Sequence, residues 1–170
     1  MGRQVVSPLA AESGEGADIQ SMDRGSFVRV GSWNIEGMTE LKLAEVCRYM
    51  REHSIDIMCM QETRRPNSDH YATEDGYLVV LSGTAGANPK FAGVGFVVSP
   101  TLRPRVCGHW RLDNRIASIK VRTGSERLTL CTVFAPHDDE RPTDEKLGLY
   151  DRLQRHKGGT PWVWPSAISR

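Results

Sequence analysis

Between Val28 and Thr63 the hydrophobic period changes twice, and few folds accommodate that change. Val28 to Trp33 alternates apolar residues with Arg29, Gly31 and Ser32, the two-residue period of a strand. From Thr39 to His53 the period lengthens. Leu43, Val46, Cys47 and Met50 share one helical face, Glu45, Arg48 and Glu52 turn away, and Thr39 is a suitable N-cap. Ile55 to Met60 is then nearly continuous apolar sequence, as in a strand covered on both faces. This βαβ order brings Asn34, closing the first run, and Glu62, just past the second, to the same end of two strands. An amide and a carboxylate placed there suit a divalent metal and a phosphate. Taken singly, each reads more simply, Asn34 as a turn-closing amide and Glu62 as a solvated acid.

The rest of the chain is richer in strands. Arg64 to Asp75 is polar and reads as a loop bordering Glu62. Tyr77–Leu81 and Val94–Val98 read as strands separated by Gly83, Gly86, Asn88 and Pro89. No Lys-Ser/Thr pair follows the two glycines, so they make no phosphate loop. Leu102–Val106, Ile116–Val121 and Leu128–Phe134 complete the strands, with a short hairpin link over Thr123–Glu126. Thr143 opens a second helix whose Leu147, Tyr150 and Leu153 are expected on one side, with Gly158-Gly159 as its stop. Residues 1–26, rich in Ala, Gly, Ser and acids, read as a disordered leader. In residues 158–170 two Trp between two Pro fit neither a helix nor a central strand.

At 170 residues, 25% charged and 39% apolar, the chain is long enough for one globular domain with a real core. A net charge of +1 predicts no global attraction to nucleic acid. Local runs differ: Thr101 to Arg127 holds seven Arg/Lys against two acids, and Phe134 to Asp151 holds six acids against two bases. Cys47, Cys59, Cys107 and Cys131 show no metal-ligand spacing and read as buried free thiols in a reducing compartment, with no disulfide-linked partner expected. No run reaches the ~20 apolar residues of a membrane span, and no signal peptide opens the chain. Nucleus or cytoplasm is the expected location.

The strings Ser32-Trp33-Asn34-Ile35-Glu36 and Cys59-Met60-Gln61-Glu62-Thr63 together resemble the endonuclease/exonuclease/phosphatase superfamily, whose first strand ends in W-N and whose second ends in Q-E-T. The likeness continues at Phe91-Ala92-Gly93-Val94-Gly95-Phe96, Asn114-Arg115-Ile116 and Val133-Phe134-Ala135-Pro136, covers residues 27–157, and is strongest to the endonuclease domains of LINE-type (non-LTR) retroelements. The resemblance implies a DNase I-like α/β fold, a four-layer β-sandwich flanked by helices, here truncated so that part of the second sheet is missing. It also implies Mg²⁺, with Mn²⁺ suiting the same oxygen ligands, and DNA as the partner. By the same resemblance Glu62 holds the metal and Asn34 orients the attacking water, or the Asp that partners it, and the phosphate. Glu36 stands where some relatives have an acid near the metal, and His137 where relatives often have a phosphate-binding Asn. Glu36 reads equally as a polar turn residue, and His137 as a loop histidine.

Two departures bear on activity. Phe134 replaces the tyrosine of the family's Y-x-P element and so lacks its hydroxyl. The G-D-x-N and S-D-H elements, which carry the family's base and its Asp–His pair, do not occur in this sequence. Two functions follow as expectations: a Mg²⁺-dependent phosphodiesterase of endonuclease type acting on DNA, impaired in this chain, or a catalytically inactive retroelement remnant that at most binds metal or nucleic acid.

Overall fold

The computed structural model describes residues 4–5, 27–83, 92–135, 143–156 and 162–163, the first and last of these pieces by backbone alone. Two sheets face each other. The first has the order β1-β2-β3-β6-β5-β4, formed by β1 (Gln4–Val5), β2 (Val30–Asn34), β3 (Ile57–Gln61), β6 (Val94–Val98), β5 (Leu78–Ser82) and β4 (Asp69–Ala72). The second has the order β10-β9-β8-β7, formed by β10 (Trp162–Val163), β9 (Glu126–Val133), β8 (Ile116–Thr123) and β7 (Val106–Arg111). Helix α1 (Glu40–Glu52) joins β2 to β3, and these two strands run parallel with Asn34 opposite Gln61. The crossover thus delivers both strand ends to one edge, as the hydrophobic pattern predicts.

Three apolar clusters define four layers. On the outer face of the first sheet, Leu43, Val46, Cys47 and Met50 of α1 pack on Met58, Met60, Val79, Leu81 and Val97. Between the sheets, Ile57, Cys59, Val80, Phe96 and Val98 meet Ala117, Ile119, Val121 and Leu130. Strand β3 feeds both clusters on alternate residues, which is why its sequence is apolar without a break. On the outer face of the second sheet, Leu149 and Leu153 of α2 (Thr143–His156) cover Ile116 and Cys131. Thr39 caps α1 through the Lys42 amide, 3.2 Å away. Among the described residues no helix is long and apolar enough to cross a membrane.

Several expectations need correction. The loop expected over Arg64–Asp75 contains β4, an edge strand paired on one side only. Three of its four residues are exposed, so it lacks the alternation that marks a half-buried strand. The strand expected at Leu102–Val106 is displaced to β7. Pro104 instead sits in a single 3₁₀ turn, Arg103–Arg105, where its fixed φ and missing N–H do no harm. In α2 the buried face is Leu149 and Leu153, four residues apart, whereas Leu147 and Tyr150 are exposed. Cys47, Cys59 and Cys131 are buried, with thiol pKa values pushed up by burial to about 11, about 12 and about 12; Cys107 is exposed. Gln4 and Val5, within the expected leader, pair with β2, while Trp162 and Val163 lie parallel to β9 as an edge strand. The remainder of residues 1–26 and 158–170 lies outside the described residues.

Candidate functional site

Past their paired ends, β2 and β3 stay together as irregular chain. The Ile35 amide donates to the Gln61 carbonyl at 3.0 Å, Gly37 to Glu62 at 2.7 Å and Met38 to Thr63 at 2.8 Å. A third segment closes the corner, since Thr63 donates to the Gly93 carbonyl at 2.9 Å and Gly93 to that of Asn114 at 2.8 Å. A fourth joins through Phe134, whose amide donates to the Arg115 carbonyl and whose own carbonyl accepts from Arg115 Nη1 at 3.2 Å. The scattered strings W-N, Q-E-T, A-G-V, N-R-I and V-F-A therefore meet at one place.

At its centre Asn34 Nδ2 donates to Glu62 Oε1 at 2.9 Å, and Arg64 Nη2 lies 2.6 Å from Glu62 Oε2. Glu62 is buried, at 5% exposure, while Asn34 is exposed and Arg64 half-buried. Taking a carboxylate out of water is costly unless both oxygens are satisfied, and here an amide and a guanidinium divide that task. The backbone is unusual as well. Of the four non-glycine residues described with left-handed φ, three are here: Glu36 at 50°, Glu62 at 52° and Arg64 at 53°. Such a conformation costs about 1 kcal/mol or more per residue, and it persists where the surroundings over-determine it. Gly93, at φ 92°, makes the close approach possible, because a Cβ there would overlap Thr63 Oγ1.

Supporting groups hold the corner from behind. Trp33 meets Tyr49 of α1 edge-on at 5.5 Å, and Tyr49 stacks on His53. Lys42 of α1 reaches the Ile35 carbonyl at 2.6 Å and the Glu36 carbonyl at 3.0 Å, fixing the turn after Asn34. Gln61 donates to Thr132 Oγ1 at 3.1 Å and ties the corner to the second sheet. Thr63 Oγ1 and Arg64 Nε are enclosed yet have no hydrogen-bond partner among the described residues.

Of the sequence-predicted site residues, Asn34 and Glu62 are in direct contact. Glu36 is on the adjoining turn, its side chain exposed and outside the Asn34–Glu62–Arg64 chain of bonds. His137 lies outside the described residues. Arg64 and Lys42 escape sequence reasoning: their positions depend on a left-handed turn and on helix phase, and a lone Arg after Q-E-T is the one available hint. Arg115 is visible in the N-R-I string, but its bond to Phe134 is not. Among the described residues no three His, Cys, Asp or Glu side chains group as a metal cage. The carboxylates at the corner are Glu62, whose two oxygens are bonded to Asn34 and Arg64, and the exposed Glu36, a number of acids that suits only an ion keeping most of its waters.

Residues 31–164 match the family model described as Endonuclease/Exonuclease/phosphatase family. No curated protein matches the sequence. Among solved structures, the catalytic domain of Xenopus laevis APE2 is similar with a TM-score of 0.56 and 19% identity over 74% of this chain and 51% of that one. An AP endonuclease from Archaeoglobus fulgidus has a TM-score of 0.54 and 19% identity over 75% and 50%. The endonuclease domain of TRAS1, a telomere-specific non-LTR retrotransposon, has a TM-score of 0.53 and 17% identity over 79% and 57%. At these identities the likeness is one of fold, and the chain spans about half the length of each of these structures.

Proposed function

This chain belongs to the endonuclease/exonuclease/phosphatase family, and from that membership we propose that its Asn34–Glu62 corner is the core of a divalent-metal phosphodiesterase centre of endonuclease type acting on DNA. The observation that carries this reading is the 2.9 Å bond from Asn34 to a buried Glu62 held in left-handed backbone at the ends of two parallel strands. DNA as substrate is supported by the names of two of the similar structures, one an AP endonuclease and one the endonuclease domain of a telomere-specific retrotransposon.

In this reading Glu62 is the anchor for Mg²⁺, and Glu36 on the neighbouring turn is the second oxygen donor. The ion, when bound, withdraws charge from the phosphoryl oxygens and steadies the leaving oxygen. The chain's own work is positional. Asn34 fixes one carboxylate oxygen and faces the phosphate and the attacking water, Arg64 balances the other oxygen, and Lys42 holds the turn that carries Glu36. His137 is a phosphate donor in the same reading.

Turnover by this chain is expected to be low. Phe134 offers no hydroxyl for proton transfer, and a positioned acid or base is typically worth ~10²–10⁴ in rate. The same feature favours a second reading, a catalytically inactive retroelement remnant that at most binds metal or nucleic acid. Only the first reading needs Glu62 to take an ion.

The test pairs binding with turnover. Mn²⁺ titration followed by electron paramagnetic resonance is expected to show binding that Glu62→Gln weakens. Supercoiled plasmid with Mg²⁺ is expected to be nicked no faster by the wild type than by Glu62→Gln or with EDTA. Mg²⁺-dependent nicking abolished by Glu62→Gln would remove the second reading, and a wild type that binds no Mn²⁺ would sink the first.

A further inference from the structure

Edge strands β4 and β7, one from each sheet, carry a histidine apiece at positions that face each other. In β4, Tyr71 packs on the outer cluster beneath α1, so its neighbour His70 faces the second sheet, and His70 sits opposite Val80 of the inter-sheet core. In β7, His109 sits opposite Ile119, another inter-sheet residue. The two imidazoles meet across the gap with centroids 5.0 Å apart and planes tilted by 50°.

From this geometry we propose that His70 and His109 form a two-histidine site for a borderline first-row divalent ion, Zn²⁺ foremost, which clasps the two sheets at their shared edge. The separation suits that use. With Zn–N bonds of roughly 2.0–2.1 Å, and a ring centroid about 1.1 Å behind each nitrogen, two imidazoles on one tetrahedral ion have centroids about 5 Å apart.

The chemistry of the pair agrees. His109 Nδ1 is enclosed and has no hydrogen-bond partner among the described residues, an unsatisfied group that ligation would satisfy, directly or after the ring flips about its soft χ2. Burial, with His70 and then Arg111 acting on it, lowers the His109 pKa and keeps the ring in its neutral, ligating form. His70 is exposed, so an ion can enter from solvent. Two protein nitrogens leave the other positions to water, and imidazole selects Zn²⁺, Cu²⁺ or Ni²⁺ over the hard Mg²⁺ expected at Glu62. The site is therefore independent of the proposed catalytic corner.

Zn²⁺ is titrated calorimetrically into the full 170-residue chain with Mg²⁺ in excess, and thermal unfolding is followed with and without Zn²⁺. One Zn²⁺ per chain and a rise of a few degrees in Tm are expected. His70→Gln, at an exposed position, and His109→Phe, which keeps the ring's bulk, should each weaken binding about tenfold or more and abolish the rise. A wild type that takes up no Zn²⁺ would overturn the proposal. So would binding that survives His70→Gln, or that is lost in Cys107→Ser, whose exposed thiol is the competing ligand. Should His109→Phe fail to fold, His70→Gln decides the matter alone.

Discussion

The β8–β9 hairpin and the Asn34–Glu62 corner both turn strands with left-handed backbone, but of the two only the corner also places it on residues other than glycine. At the hairpin it falls on Gly124, φ 59°, with no atom within 4 Å of where a side chain would begin. At the corner it falls on Gly37 and Gly93 but also on Glu36, Glu62 and Arg64, the last two bonded to each other. The hairpin needs only to reverse direction, and glycine does so without strain. At the corner the strained Glu62 is held by its bonds to Asn34 and Arg64, which offset the strain.

The largest expected effect tests how tightly the corner is closed. Gly93→Ala adds a side chain in left-handed backbone and drives it against Thr63, and urea unfolding should show a loss of about 2–4 kcal/mol. A loss under about 0.5 kcal/mol would mean that the corner yields freely. Next, Glu62→Ala strands the Asn34 amide and the Arg64 guanidinium and should cost about 1–3 kcal/mol in the same assay. Glu62→Gly loses the same bonds but relieves the backbone, so it should be less damaging than Glu62→Ala by about 1 kcal/mol; equal losses would break the comparison. At the hairpin, Gly124→Ala meets strain without collision and should cost about 1 kcal/mol, well short of Gly93→Ala. The smallest change is favourable: Glu36→Gly, on an exposed turn, should stabilise by about 0.5–1 kcal/mol in thermal or urea unfolding.

How legible each part is follows from what kind of information fixes it. Strands β2, β3, β5, β6, β8 and β9 and the buried face of α1 announce themselves, because each buries a regular set of side chains and the period survives in the sequence. Strand β4 does not, since an edge strand with one partner buries little; β7 is misplaced because Pro104 takes a turn where apolar neighbours suggest a strand. The face of α2 is misjudged for a subtler reason. Leu147, Leu149, Tyr150 and Leu153 offer two overlapping stripes, and only docking on Ile116 and Cys131 chooses between them. At the corner, Asn34 and Glu62 are legible as the ends of recognisable strings. Arg64 and Lys42 are not, because backbone φ and helix phase aim them and neither leaves a mark on residue type.

Gln61 bonds Thr132 across 71 residues of chain, and Gly93 and Asn114 lie between them in sequence. Closing so wide a loop loses chain entropy before any contact rewards it, so this junction belongs among the last events of folding. The Gly93 amide, bonded to the Asn114 carbonyl ahead of β8, thereby reports on this junction: its hydrogen exchange should follow the opening of the seam between the two sheets.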